Sequence, residues 1–241
     1  MSNILRKDGS MALFLGITRS GKSVPVKRIS EKWSRVLVYD PKGEYHTQLG
    51  YEQANSRREL FGMLKAATGP AKINYPGVSK GDFLFFCDCA FNWIRQKEAM
   101  IICEELASVT NAGKADGPWN RLINQSMAFG PLIVGTVQRG QEVDKSLMNS
   151  ASFVHVAQHG TDDDAYYIAK KLGVDMSEIP REPLQFLQWT GSRGIVVRGH
   201  VDFKGAKSKL WDTGTPRFVR ANNGKPMKFN QTGRFDGVAY N

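Results

Sequence analysis

Short apolar runs alternate along this chain with longer stretches whose apolar residues recur at helical spacing. Met11–Gly16 is apolar and closes on glycine, which predicts a buried strand. Lys22–Trp33 then reads as a helix, with Pro25 in the first turn, where proline is tolerated. Val36–Asp40 is a second strand. Ser56–Ala67 carries Leu60, Met63, Leu64 and Ala67 on one helical face. Asp82–Ile94 is apolar almost throughout; periodicity leaves helix and strand both open, and its length favours a helix. Ala99–Cys103 is a third strand, Trp119–Phe129 a helix, Pro131–Val137 a fourth strand and Phe153–Gln158 a fifth. Thr161–Leu172 reads as a helix with Thr161 as its N-cap and three aspartates in the first turn, where the helix dipole favours them.

Strands alternating with helices predict an α/β fold with a mainly parallel sheet covered on both faces. After residue 183 the pattern changes. Leu184–Trp189 and Ile195–Phe203 read as a C-terminal β-hairpin around Thr190–Gly194. From Lys204 onward the chain is polar, rich in Gly and Asn, and basic, with eight Lys and Arg. The expected organisation is one domain over 1–203 and a basic extension over 204–241.

The loop after the first strand carries the most specific chemistry. Gly16-Ile17-Thr18-Arg19-Ser20-Gly21-Lys22-Ser23 fits G-x-x-x-x-G-K-[ST] in full, between a strand and a helix as that motif requires. Gly16 and Gly21 let the backbone N–H groups of the loop, including those of Thr18, Arg19 and Ser20, curl around phosphate oxygens. The helix N-terminus adds partial positive charge. Lys22 is expected to reach the β- and γ-phosphates of ATP, and the Ser23 hydroxyl to bind Mg²⁺.

Such a loop needs acids from another strand. Glu104 is the candidate to hold Mg²⁺, and Glu105 the candidate to orient and deprotonate the attacking water. Two solvated acids at a strand end fit the same residues. Asp40, at the end of the second strand, belongs near the site if the sheet is open and parallel; an ordinary Asp-Pro-Lys-Gly turn fits it too. Gln138 follows an apolar strand, where an unpaired amide is costly. It can bond the γ-phosphate or the attacking water, or cap the next loop.

Composition narrows the setting. The net charge is +10 at pH 7, which points to a polyanionic partner such as nucleic acid, although a basic surface also serves solubility. Cys87, Cys89 and Cys103 form no disulfide or zinc framework and suit a reducing compartment. No apolar run is long enough to span a bilayer, and Met1–Ser10 lacks the pattern of a signal peptide. Action in a cytoplasm, or within a particle assembled there, is expected.

In this order, four segments resemble the FtsK–HerA superfamily of motor ATPases. They are Gly16–Ser23, then Val38–Tyr45 with its Asp-Pro-Lys-Gly-Glu-Tyr, then Ile101–Glu105, then Thr136–Arg139 with Val143-Asp144-Lys145 soon after. The resemblance covers roughly residues 11–200 and implies a P-loop NTPase of the RecA/ASCE type. The short chain is similar to the genome-packaging ATPases of tailless icosahedral viruses, many with an internal membrane. That similarity implies a homo-oligomeric ring, typically a hexamer, hydrolysing ATP at subunit interfaces and passing double-stranded DNA through its centre. It also implies capsid or portal-vertex partners and a place at the packaging vertex of the virion. Rings of this kind need a positive residue supplied across the interface. Arg121 is the first candidate, with Arg139 and Arg193 as alternatives. A phage assembly NTPase, a conjugation-type DNA translocase, a small-molecule kinase and a DNA-binding protein with a degenerate loop remain open as other readings.

Overall fold

A computed structural model describes residues 8–115, 117–190, 195–200, 218–220, 227–229 and 235–239. Arg193 and much of the segment after His200 lie outside them. The elements run β1 (Ser10–Leu15), α1 (Ser23–Lys32), β2 (Arg35–Tyr39), α2 (Glu44–Leu49), β3 (Glu52–Gln53), α3 (Arg57–Ala66), β4 (Ala71–Tyr75), α4 (Lys80–Gln96), β5 (Met100–Cys103), α5 (Gly117–Gln125), β6 (Leu132–Val137), α6 (Lys145–Ser150), β7 (Phe153–Val156) and α7 (Asp162–Leu172). Then come β8 (Gln185–Thr190), β9 (Ile195–His200), β10 (Phe218–Arg220), β11 (Met227–Phe229) and β12 (Phe235–Ala239).

The main sheet is ordered β10-β9-β8-β7-β1-β6-β5-β2-β4-β3. From β7 to β3 every neighbouring pair is parallel, whereas β8, β9 and β10 add antiparallel at the far edge. The expected α/β fold with a mainly parallel sheet and a late hairpin is what the chain adopts. Strand alternation splits the core in two. Leu13, Leu15, Leu37, Tyr39, Ile101 and Cys103 face one way, packed with Leu60 of α3, Phe83, Phe86 and Trp93 of α4, Leu122 of α5 and Ile168 of α7. Ala12, Phe14, Val36, Val38 and Ile102 face the other way, packed with Val26 and Ile29 of α1 and Tyr45 of α2. Burial on both faces is why these strands read as unbroken apolar runs.

Three local readings are refined. The ambiguous Asp82–Ile94 run is helical. Ser79 and Asp82 cap it reciprocally, and α4 extends to Gln96. The helix expected over Trp119–Phe129 stops at Gln125, because the Ser126 hydroxyl bonds back to the Leu122 carbonyl and Met127–Phe129 tightens into a 3₁₀ turn ending at left-handed Gly130. Strand β4 was not expected from the sequence. Its Lys72 and Asn74 interrupt the apolar pattern; Lys72 Nζ donates to the Ser30 and Glu31 carbonyls at 3.2 and 3.0 Å. In the region expected as a basic extension, β10 joins the main sheet and β11 pairs with β12 in a separate two-stranded sheet.

Candidate nucleotide site

In a parallel sheet, the C-terminal ends of all strands open onto one edge. Leu15 is in register with Val137, Cys103 with Gly135, and Tyr39 with Cys103. The residues that follow these ends are Gly16, Gln138, Glu104 and Asp40, so one edge collects all four. Strand β6 lies between the strand leading into the phosphate loop and the strand ending in the acids. Residues at its end therefore lie beside both the phosphate-loop strand and the acid strand.

The phosphate loop has the geometry its motif demands. Gly16 has φ +151°, Arg19 +65° and Gly21 +90°, so left-handed backbone recurs along the turn. A Cβ on Gly16 would meet Ser20 Oγ at 2.7 Å and Ala157 Cβ at 2.8 Å, which excludes any larger residue. Among the described residues, nothing accepts from the N–H groups of Arg19, Gly21 and Lys22. The buried Ser20 hydroxyl has no partner among the described residues. Such orphaned donors in a positive-φ turn at a helix start suit an anion. Lys22 is buried. Burial lowers its pKa, while Glu105 and Glu104 oppose that shift.

Thr18, Arg19, Lys22, Ser23, Asp40, Glu104 and Glu105 line one cavity of about 310 Å³. A second, of about 800 Å³, shares Arg19, Lys22, Ser23 and Glu44 and runs outward along α1 and α2 past Lys27 and Gln48. Together these offer a tight phosphate end and a roomier outer groove. Among the described residues no cluster of three or more His, Cys, Asp or Glu could hold a metal by itself. The donors fit Mg²⁺ in its usual protein setting, one or two side chains plus nucleotide phosphates, with Ser23 and Glu104 as those side chains.

Both acids are held from two sides. Glu104 is buried; Tyr45 donates its hydroxyl to Glu104 Oε1 at 2.8 Å, and Thr136 donates to Oε2. Burial raises the Glu104 carboxyl pKa, against the pull of these bonds. Glu105 sits left-handed at φ +56°, with its N–H on Thr136 Oγ1 at 3.2 Å. Lys42 Nζ donates to Glu105 Oε1 at 2.7 Å and Gln138 Nε2 to Oε2 at 3.1 Å. Burial alone would raise the Glu105 carboxyl; these bonds outweigh it and hold the pKa below its ordinary value. Asp40 braces the loop that supplies Lys42 and the start of α2 that supplies Tyr45, accepting from the N–H groups of these two residues at 3.1 and 3.0 Å.

Each predicted residue around the loop thus converges on the site. The sequence reading had given no role to Lys42, Tyr45 or Thr136. Thr136 had a signal: it lies two residues before Gln138 and so shares its side of the strand. The arginines behave differently. Arg121 lines neither cavity; its guanidinium pairs with Asp88 of α4 and lies 4.8 Å from the Phe91 ring centroid. Arg139 Nε reaches both carboxylate oxygens of Asp164, at 3.1 Å each, and ties the loop after β6 to the first turn of α7. The cysteines are free, with Cys87 and Cys103 buried in the core. No described helix is long and apolar enough to cross a membrane.

Comparison with known proteins agrees with this geometry. No family model matches the chain. Protein P9 of Pseudoalteromonas phage PM2 is 25% identical over 195 residues, 75% of this chain and 86% of that protein. B204, the DNA-packaging ATPase of Sulfolobus turreted icosahedral virus, superposes with a TM-score of 0.63 at 14% identity, over 80% of this chain and 98% of that one. VirB4 of Thermoanaerobacter pseudethanolicus superposes with a TM-score of 0.54 at 11% identity, over 82% and 89%. The chain has the P-loop ATPase fold of these proteins, and the resemblance to viral genome-packaging ATPases carried by its motifs holds at the level of fold.

Proposed function

We propose that this protein is an ATP-hydrolysing motor that drives double-stranded viral DNA into a preformed capsid. The observation that carries the reading is the convergence of Lys22, Glu104, Glu105 and Gln138 on one sheet edge around an anion-ready loop. Three further points support it. The likeness to a DNA-packaging ATPase spans nearly all of that protein's length; the chain carries an excess of positive charge; and the motif order resembles DNA-pumping motors.

In this reading the loop N–H groups and Lys22 hold the phosphates of ATP. Ser23 and Glu104 would hold Mg²⁺, which would supply positive charge against the phosphates. Glu105 orients the attacking water and draws its proton. Gln138 fixes Glu105 and, in this reading, reports through it whether the γ-phosphate is present. The subunits form a ring, a hexamer in this proposal, whose neighbours complete each site with an arginine. Arg121, half-buried where α5 packs on α4, is the first candidate. The basic surface holds DNA through phosphates and not bases, as passage of any sequence requires. The ring works at the packaging vertex of the virion after assembly in the host cytoplasm, docked to capsid or portal proteins.

The test is ATP turnover by the assembled protein with and without duplex DNA. Stimulation of several-fold, abolished by Lys22→Ala, is expected. Equal rates with and without DNA in an assembled ring would remove the translocase reading.

A further inference from the structure

The loop between β2 and α2 contributes a side chain to the site that neither a phosphate loop nor a metal-binding acid explains. Lys42 reaches from it to Glu105 Oε1, opposite Gln138 on Oε2. We infer that Lys42 is a positioning residue that aims the Glu105 carboxylate at the attacking water, an inference that rests on the ATPase reading above.

Three features support this. First, the backbone of Glu105 is already committed: it is left-handed and its N–H is fixed on Thr136. What stays free is rotation about the side-chain bonds, and two donors on opposite oxygens remove that freedom. Each oxygen keeps a second lone pair for a water. Second, the lysine springs from a braced segment. Asp40 accepts from the N–H groups of Lys42 and Tyr45, Gly43 turns the chain at φ +67°, and Glu44 pairs with Lys27 of α1. The Lys42 side chain is 55% exposed, so it approaches Glu105 from the open side of the cavity. Third, Tyr45, in the first turn of α2 directly after this loop, holds the neighbouring acid, so one continuous segment reaches both carboxylates. Catalytic groups misplaced by about 1 Å lose roughly a hundredfold in rate, so loss of one of the two anchors acts on turnover and spares binding.

The experiment compares steady-state ATP hydrolysis with binding of the analogue AMPPCP in the presence of Mg²⁺. It uses wild type, Lys42→Met, Lys42→Gln, Lys42→Arg and Lys22→Ala, with thermal melting as a check on folding. The inference expects kcat to fall about 10- to 100-fold in Lys42→Met and Lys42→Gln. AMPPCP affinity should stay within about threefold of wild type, because Lys22 and the loop N–H groups hold the phosphates. Lys42→Arg, which keeps a donor and a charge, should recover most of the rate. A tenfold or greater loss of AMPPCP affinity alongside kcat would make Lys42 a phosphate ligand and overturn the inference. An unchanged or raised kcat would also overturn it, the latter by making the contact a restraint. Wild type separates the two levels. If it binds no AMPPCP and hydrolyses no ATP, the ATPase reading fails and the inference falls with it. If it hydrolyses ATP and Lys22→Ala does not, only the Lys42 results decide.

Discussion

Gln138 Nε2 donates to Glu105 Oε2 across 3.1 Å, joining the ends of the adjacent parallel strands β6 and β5. The contact exists because β6 separates the phosphate-loop strand from the acid strand. Gln138, just past its end, turns toward the acid strand, whereas Arg139 turns away to Asp164. The amide that the sequence left either sensing a phosphate or capping a loop is bonded to the Glu105 carboxylate.

This relationship makes Glu105 and Gln138 a unit. Glu105→Gln keeps the shape and loses the proton acceptor; kcat should fall by about 10²–10⁴ while nucleotide binding persists. Gln138→Ala should lower kcat as well, and the double variant should lose less than the two single losses combined. Steady-state kinetics of the four proteins give the coupling directly.

Thr136 is buried and serves both acids at once, donating to Glu104 and accepting from the Glu105 N–H. Thr136→Val keeps the volume and strips both bonds. A buried group left unpaired costs about 1–3 kcal/mol, so urea melts should show a loss of that order. The Mg²⁺ concentration needed for half-maximal turnover should rise with it.

His155 is 1% exposed, stacked between Phe14 and Phe186, and burial pushes its pKa down to about 3. Above the ordinary histidine pKa of ~6.5 both folded and unfolded chains are neutral there, and the residue has no pH effect. Below it, the unfolded chain takes up a proton that the folded chain refuses. Stability then falls by about 1.4 kcal/mol per pH unit toward pH 3 from this residue alone. Urea unfolding of wild type and His155→Phe at pH 7 and pH 5 should differ in pH sensitivity by about 2 kcal/mol. Equal sensitivity would mean that His155 is protonated in the folded state.

The readable parts of the site were those whose chemistry lies in one continuous stretch. Gly16–Ser23 needs only its own residue types and a strand before it, and Asp40, Glu104 and Gln138 announce themselves by ending apolar runs. The partners of the acids were not readable. Lys42–Glu105 and Tyr45–Glu104 are made across two strands by a loop whose local sequence also fits an ordinary turn and by the short helix that follows it. Helix α2 is six residues long, too short for periodicity to register. Strand β4 was hidden because half-buried Lys72, whose ammonium reaches the end of α1, and buried Asn74 break its apolar pattern. Arg121 was selected on its place in the chain alone; its own-chain partner Asp88 could not be foreseen without the packing of α5 on α4.

The most direct measurement of the motor claim is displacement of a fluorescent third strand from a triplex-capped DNA duplex by the assembled protein. The account predicts displacement that requires hydrolysable ATP, proceeds on any duplex sequence, and disappears in Lys22→Ala and Glu105→Gln. ATP hydrolysis by the assembled wild type without displacement, at a rate indifferent to DNA, would contradict it.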